Sequence, residues 1–227
     1  MERWKILCIF VTFLCSGLSG CDKDSPTSPQ YFERLVYVAM GASDAVGIGA
    51  FPLEKGYVYQ IRDALKSRAD EVVLYNLGVS GKRINYIEST ELPTAISVQP
   101  HVLTIWAGPN DLIHGVDAAT FEQSLATVLM QLRQSTSAVI VLANIPDLTL
   151  LPRFLIDPDP DVTVDRVHAF NLALARQAGV YAVPLVDLYA GDYASNWDYV
   201  SLDGFHPSNE GHTKIAELYL EILLKSL

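Results

Sequence analysis

Two short segments of the sequence carry side chains with the types and spacing of a nucleophile and its base. Ser43 lies in GASD, residues 41–44, while Asp203 and His206 share DGFHP, residues 203–207. A serine hydroxyl becomes an effective nucleophile when a histidine takes its proton, and a carboxylate holds that histidine in the required tautomer. Since Asp203 and His206 are only three residues apart, one short turn can present both side chains. The pattern indicates acyl transfer, with Ser43 as nucleophile, His206 as base and Asp203 as the orienting acid.

Acyl transfer also needs hydrogen-bond donors for the negative charge that develops on the carbonyl oxygen. The backbone N–H of Ser43 can supply one donor, and the side-chain amide of Asn110, in the segment GPND, can supply another. A glycine N–H in NLGVSGK, residues 76–82, can complete the set. Gly78 and Gly81 are both candidates for that donor.

The elements that must position these residues are visible as apolar runs alternating with segments of helical periodicity. Strands are predicted at residues 34–41, 71–78, 101–108, 138–146 and 181–189. Helices are predicted at residues 56–69, 82–99, 117–136, 162–179 and 209–227. Near-continuous apolar strands that alternate with helices indicate an α/β fold with a parallel sheet covered on both faces. Because ligands bind beyond the carboxyl ends of such strands, the polar segments are expected to meet at one edge of the sheet.

Four features set the expected limits of these elements. Asp117 can cap the helix that follows it, and Gly179 is expected to end the helix that begins at residue 162. Pro184 lacks an N–H group, which predicts an edge position for the last strand. Residues 147–161 are expected to form a long loop.

The segments GASD, NLGVSGK, GPND and DGFHP, in this order, resemble the SGNH hydrolases, also called GDSL esterases/lipases. The resemblance covers most of residues 35–220. It implies a three-layer α/β/α sandwich with a flavodoxin-like five-stranded parallel sheet, which would occupy residues 34–227 here. It also implies an ester hydrolase that uses neither a metal nor an organic cofactor.

The resemblance assigns the site residues one by one. It implies a catalytic triad of Ser43, His206 and Asp203, and an oxyanion hole formed by Ser43, Gly81 and Asn110. The N-x-G-x-S-G pattern of the family places the oxyanion glycine on Gly81. The chain departs from the family at one position, because the residue before the nucleophile is usually aspartate and here is alanine. This difference is expected to affect the geometry of the turn more than the class of reaction.

The N-terminal segment resembles a bacterial lipoprotein signal. Residues 1–20 combine two basic residues with a short apolar run, which is typical of a secretory signal peptide. The LSGC sequence that ends at Cys21 resembles the lipobox, which implies cleavage before Cys21 and its lipidation. Residues 21–33 would then tether the domain to a membrane of the bacterial cell envelope. An ordinary signal peptide that happens to precede a cysteine is the alternative.

Charge and residue types exclude other functions. The formal net charge is −10 and the chain has no Lys/Arg cluster, so nucleic-acid binding is not expected. The acidic segment at residues 157–165 lacks the glycine and distal glutamate of an EF-hand, and we interpret it as a solvated loop. Asp187 is a second candidate for the orienting acid, and His212 is expected to pack in the interior.

The substrate is left open between two classes of ester. One is a short acyl ester of a glycan, whose sugar rings could stack on Trp106, Tyr193, Trp197 and Tyr199, although these side chains could equally be ordinary aromatics of the core and the rim. The other is a lipid ester, for which the apolar residues 148–156 could form a flap over the acyl group, although the same residues could simply fold onto the core. An acyltransferase with the same triad and a non-catalytic binding lipoprotein are the alternatives to hydrolysis.

Overall fold

The structure is a computed structural model that describes Met1 and residues 30–227. The expected signal peptide, the lipidation site Cys21 and most of the expected tether therefore lie outside the described residues. Strand β1 begins at Phe32, two residues before the expected start at residue 34. Residues 32 and 33 thus belong to the folded domain, because Phe32 pairs with Ala69 at the start of the next strand.

Five parallel strands form the central sheet, in the spatial order β2-β1-β3-β4-β5. They are β1 (Phe32–Gly41), β2 (Ala69–Asn76), β3 (Val102–Trp106), β4 (Val139–Ala143) and β5 (Leu185–Val186). Successive residues of β1 point to opposite faces, and both faces are buried. The alternation of strands and helices in the sequence therefore predicted the parallel sheet correctly, and the order of the strands is the flavodoxin-like order that the family resemblance implies.

Helices cover both faces of the sheet and complete three layers. The helical elements are α1 (Ser43–Val46), α2 (Tyr57–Leu65), α3 (Ile84–Tyr86), a π turn (Ile87–Glu91), α4 (Leu92–Ser97), α5 (Pro109–Ile113), α6 (Ala118–Ser135), α7 (Pro152–Ile156), α8 (Val164–Val180) and α9 (Asn209–Ser226). Helices α3, α4, α6 and α8 pack on the face that carries Val38 and Met40. Helices α2 and α9 pack on the opposite face, against Tyr37 and Ala39.

The ends of some elements differ from the expectation. Helix α8 continues past Gly179 to Val180, because the left-handed residue that follows this helix is Ala182, with φ of 50°. The expected loop at residues 147–161 contains a 3₁₀ turn (Leu148–Leu150) and α7. Pro152 starts α7 because its fixed φ suits the first turn of a helix.

Strand β5 has only two residues, although a longer strand is expected at residues 181–189. It lies at the edge of the sheet, as Pro184 predicts. Pro184 has no N–H to donate, but its carbonyl accepts from the N–H of Leu142 at 3.0 Å. Asp117 caps α6 as expected, accepting from the N–H of Ala119 at 2.9 Å. In the described part of the chain, no helix is both long and apolar enough to cross a membrane.

Candidate active site

Ser43 is the first residue of α1 and lies just beyond the carboxyl end of strand β1, which is inside the sheet between β2 and β3. The chain turns sharply between strand and helix at Gly41 and Ala42. A β-carbon at position 41 would lie 2.7 Å from the carbonyl oxygen of Trp106, so only glycine fits there. Ser43 itself is 5% exposed. The turn therefore directs the serine hydroxyl toward the edge where the other polar segments end.

A hydrogen-bonded chain joins the three residues predicted to form the triad. His206 Nε2 lies 2.8 Å from Ser43 Oγ, and His206 Nδ1 lies 2.5 Å from Asp203 Oδ2. The two contacts occupy both ring nitrogens, so the imidazole is held between the hydroxyl and the carboxylate. With Nδ1 as donor to Asp203, Nε2 is free to accept the proton of Ser43.

The Asp203 carboxylate is held by donors from its own turn. Its Oδ1 accepts from the hydroxyl of Ser201 at 2.8 Å, and from the backbone N–H groups of Phe205 at 2.8 Å and His206 at 2.9 Å. Partial burial alone would raise the pKa of Asp203, but the hydrogen bonds from His206, Phe205 and Ser201 outweigh it and lower the pKa to about 2. Asp203 is therefore ionised at neutral pH, as an acid that orients a histidine must be.

A close approach between two loops fixes the histidine. Gly49 has φ of +96°, and a β-carbon there would lie 2.2 Å from the carbonyl oxygen of Pro207 and 3.0 Å from Cβ of His206. Phe51 N–H donates to the side chain of Asn209 at 2.8 Å, which ties the same two loops together. The loop that follows the serine thus packs directly against the histidine segment.

The expected oxyanion donors belong to three segments, which follow β1, β2 and β3. Because Ser43 begins α1, its N–H has no acceptor within the helix. Gly78 is the other candidate glycine, and its N–H is already engaged because it donates to Asn76 Oδ1 at 3.2 Å. Gly81 lies in an exposed turn with φ of +76°. No hydrogen bond of the described residues engages the N–H of Gly81, and its role as the oxyanion glycine stays a prediction from the family pattern.

Asn110 is 8% exposed and lies in the first turn of α5. Its Nδ2 donates to the carbonyl oxygen of Lys82 at 2.9 Å. A side-chain amide carries two N–H groups, so one remains for the substrate oxygen. The same bond fixes the segment next to Gly81 relative to Asn110.

Asn76 and Glu91 hold the nucleophile turn, and sequence reasoning assigned no role to either. Asn76 Nδ2 donates to the carbonyl oxygen of Ala45 in α1 at 2.6 Å. Glu91 Oε2 accepts from the N–H of Gly41 at 2.9 Å. Asn76 is the first residue of the segment NLGVSGK, and this position was a signal in the sequence that it could belong to the site. Glu91 lies in a helical segment without any recognisable motif.

Asp187, the second candidate for the orienting acid, is engaged elsewhere, and His212 packs in the interior as expected. Asp187 accepts from Asn144 Nδ2 at 2.7 Å and from the backbone N–H of Tyr189 at 3.1 Å, away from His206. His212 is fully buried, with Nδ1 accepting from Tyr57 N–H and Nε2 against the carbonyl oxygen of Ile48. Burial lowers the pKa of His212 to about 4, so it is neutral and structural.

A small cavity opens beside His206, with a volume of about 40 Å³. Its lining is mainly apolar and includes Trp106, Pro109, Pro146, Leu148, Leu151 and Phe205. Leu148 and Leu151 are buried, so the apolar segment at residues 148–156 both packs on the core and forms part of this lining. Asp44, the residue after the nucleophile, also faces the cavity.

The aromatic side chains expected to stack on sugar rings are unequally available. Trp106 is 6% exposed and belongs to the core. Tyr193 and Tyr199 stack on each other, with ring centroids 6.1 Å apart. Trp197 is 63% exposed. Of the four, only Trp197 presents a largely free ring.

The chain is similar to known proteins over most of its length. It is 25% identical over 198 residues to the spore germination lipase LipC of Bacillus licheniformis, covering 81% of this chain and 93% of LipC. The crystal structure of esterase EstA from Pseudoalteromonas sp., inhibited by monoethylphosphonate, has a TM-score of 0.67 at 18% identity, covering 84% and 97% of the two chains. The acetyl xylan esterase AlAXEase has a TM-score of 0.65 at 18% identity, covering 83% and 100%.

The model of the GDSL-like Lipase/Acylhydrolase family matches residues 30–214, which includes all four segments that carry the site. The fold has the strand order and the three layers that the family resemblance implies. The serine, histidine and aspartate of those segments meet at the carboxyl edge of the sheet. The chain therefore belongs to the GDSL-like lipase/acylhydrolase family and is an ester hydrolase.

Proposed function

We propose that this protein is a serine esterase that works through an acyl-enzyme on Ser43. The observation that carries the proposal is the chain of contacts from Ser43 Oγ to His206 at 2.8 Å and from His206 to Asp203 at 2.5 Å. In acylation, Ser43 Oγ bonds to the ester carbonyl carbon while His206 Nε2 takes the hydroxyl proton. The tetrahedral intermediate then collapses, the ester C–O bond breaks, and the leaving alcohol takes the proton from His206.

Deacylation repeats the same steps with water. His206 takes a proton from the water that attacks the acyl carbon, and Ser43 Oγ leaves with that proton as the carboxylic acid forms. In both halves, the N–H groups of Ser43 and Gly81 and the amide of Asn110 stabilise the oxyanion. Asp203 stays ionised and stabilises the imidazolium that forms on His206.

We propose a short acyl group for the substrate. A cavity needs about 10–15 Å³ to hold one water molecule. The cavity beside His206 has a volume of about 40 Å³ and therefore has room for roughly three small groups. Its mainly apolar lining suits an acetyl, propionyl or butyryl chain. A glycan carrying such an acyl ester fits this size, and the exposed ring of Trp197 is available to a sugar. The fold relative AlAXEase is an acetyl xylan esterase, which is compatible with this substrate class.

A lipid ester is the second candidate, and exposed apolar side chains favour it. Leu155 and Ile156 on α7 are 55% and 84% exposed, and Leu202, next to Asp203, is fully exposed. The N–H of Arg153 in α7 donates to the carbonyl oxygen of Gly204, so α7 adjoins the Asp203–His206 turn. The relative LipC is named a spore germination lipase.

A chain-length series of p-nitrophenyl esters separates the two candidates. We expect kcat/KM to be highest for the C2 to C4 esters and to fall steeply beyond them, because the volume of the cavity is small. Rising activity from C4 to C12 would favour the lipid ester. Product analysis with and without a sugar acceptor tests for acyl transfer, which would appear as an acylated acceptor in place of the free acid. Absence of turnover and of labelling at Ser43 would favour a binding lipoprotein.

We propose further that residues 1–20 are removed and that Cys21 is lipidated, which would attach the protein to a membrane of the cell envelope. The described chain enters the domain at the amino end of β1, where Gln30 N–H donates to the carbonyl oxygen of Leu227 at 2.7 Å. Ser43 lies beyond the other end of this strand of 10 residues, roughly 30 Å away at 3.3 Å per residue. A substrate outside the anchoring bilayer suits this arrangement. Cys21→Ala should release the protein from membranes; unchanged membrane association would refute the anchor.

A further inference from the structure

The end of β1 lacks a strand partner on one side. Ala39 pairs with Asn76, the last residue of β2, and its carbonyl accepts from the N–H of Leu77 at 2.9 Å. Residues two apart in a strand point their N–H and C=O groups to the same side. The N–H of Gly41 therefore points toward β2, but beyond the place where β2 ends. A buried N–H in this position needs another acceptor.

Glu91 supplies that acceptor, although it is distant from Gly41 in the sequence. Its Oε2 lies 2.9 Å from the nitrogen of Gly41, 50 residues earlier in the chain. Glu91 ends the π turn of residues Ile87–Glu91, in which the N–H of Leu92 donates to the carbonyl of Ile87. The wider turn buries both Glu91 and Leu92. A π turn inside a helix frequently marks a functional position.

Burial of the Glu91 carboxyl group lowers the stability of the folded protein. Glu91 is 2% exposed, and no described residue offers a hydrogen bond to its second oxygen, Oε1. An unpaired buried polar atom costs stability, and a methionine of similar volume would avoid that cost. Burial raises the pKa of Glu91 to about 8, although the bond from Gly41 acts in the opposite direction. The hydrogen bond to the buried N–H of Gly41, which a methionine could not make, is therefore what the carboxyl group contributes at this position.

We propose that Glu91 is a positioning residue, which fixes Gly41 and thereby places the Ser43 hydroxyl against His206. The proposal rests on the esterase function proposed for Ser43. Only Ala42 separates Gly41 from the nucleophile, so a shift of the Gly41 peptide moves the serine directly. A displacement of about 1 Å in a reacting group can lower a rate by about 100-fold. Residue 42 is alanine and offers no polar group to this turn, whereas Glu91 provides a carboxyl group to it.

The test compares Glu91→Gln and Glu91→Met with a matched control, Glu88→Gln, in the same π turn. The glutamine keeps an acceptor for Gly41 N–H, whereas the methionine fills the space without one. We expect Glu91→Met to lower the rate of Ser43 labelling by a fluorophosphonate, and kcat on p-nitrophenyl acetate, by about 10- to 100-fold. KM should change by less than about 3-fold, and Glu91→Gln and Glu88→Gln should stay within about 3-fold of the wild type in every parameter.

Hydrogen exchange at the Gly41 amide provides a readout that does not depend on activity. We expect faster exchange in Glu91→Met and wild-type exchange in Glu91→Gln. The positioning role would be overturned if Glu91→Met were labelled at the wild-type rate, or if Glu91→Gln lost as much of the labelling rate as Glu91→Met. Unchanged exchange of the Gly41 amide in Glu91→Met would also overturn it. A wild-type protein that is never labelled at Ser43 would instead overturn the esterase proposal. In that case the exchange data alone decide whether Glu91 fixes Gly41.

Discussion

The side-chain amide of Asn110 donates to the carbonyl oxygen of Lys82 at 2.9 Å, which joins two loops that leave different strands of the sheet. The bond orients the remaining N–H of the amide, and it fixes the residue that follows Gly81. Two of the three proposed oxyanion donors thus hold each other in place. An oxyanion hole must be arranged before the charge develops, because reorganisation during the reaction would cost energy.

Removal of the Asn110 amide should therefore slow the chemical step. We expect Asn110→Ala to lower kcat by about 100- to 1,000-fold with little change in KM, since the lost hydrogen bond forms mainly in the transition state. Steady-state kinetics on p-nitrophenyl acetate measure both constants. The exposed Asn85→Ala on α3 is a matched control and should leave both unchanged. A loss confined to KM would argue against an oxyanion role.

Asp203 should control both the rate and the acid stability. We expect Asp203→Asn to lower kcat by about 10⁴-fold, because an amide favours the wrong tautomer of His206. The folded-state pKa of Asp203 is lowered from 3.8 to about 2. Its ionised form therefore stabilises the fold above about pH 4, and this contribution is lost as the pH falls toward 2.

Urea unfolding of the wild type and of Asp203→Asn at several pH values checks the sign of this effect. The wild type should lose its stability advantage over the variant between about pH 4 and pH 2. An advantage that stays constant through this window would show that the carboxylate is not held as described.

Glu91 should have the opposite dependence on pH. Burial raises its pKa from 4.5 to about 8, so the unfolded chain releases the Glu91 proton at lower pH than the folded protein does. The free energy of unfolding should fall as the pH rises from about 4.5 to 8, by up to about 4 kcal/mol. Glu91→Gln cannot ionise and should not show this fall. Denaturant unfolding at pH 5 and pH 9 measures the difference, and equal pH profiles would contradict the burial of an ionisable group.

His212 should matter for stability alone. His212→Ala leaves Tyr57 N–H and the carbonyl of Ile48 without their buried partner, and we expect a loss of about 2–4 kcal/mol. The same substitution should leave kcat within about 10-fold of the wild type, whereas His206→Ala should lower it by several orders of magnitude. Thermal unfolding and single-turnover kinetics separate these effects. A larger loss of kcat in His212→Ala than in His206→Ala would reverse our assignment of the base.

The sequence predicts the sheet and the meeting of the polar segments well, because both depend on strong local signals. Apolar strands alternate with amphipathic helices, and Ser43, Asn110 and His206 all follow strands whose carboxyl ends share one edge. The roles of the site residues and the lipidation of Cys21 stay predictions.

Features that depend on distant contacts, or on the backbone conformation of a single residue, could not be predicted. The sequence alone does not distinguish Glu91 from a surface glutamate, because the hydrogen bond that reveals its role joins it to Gly41, which is distant in the sequence. The end of α8 depends on the backbone of Ala182 and not on the nearby glycine. The length of β5 depends on where β4 offers hydrogen bonds, and Pro184 limits it further.

The most direct test of the account is covalent labelling of the purified protein with a fluorophosphonate, followed by intact mass and peptide mapping. We expect a single adduct on Ser43, with loss of fluoride, because His206 takes the proton of the attacking hydroxyl. Ser43→Ala should give no adduct, and His206→Ala should label at least about 1,000-fold more slowly. A folded wild-type protein that forms no adduct, or forms it on another residue, would contradict the proposed role of Ser43.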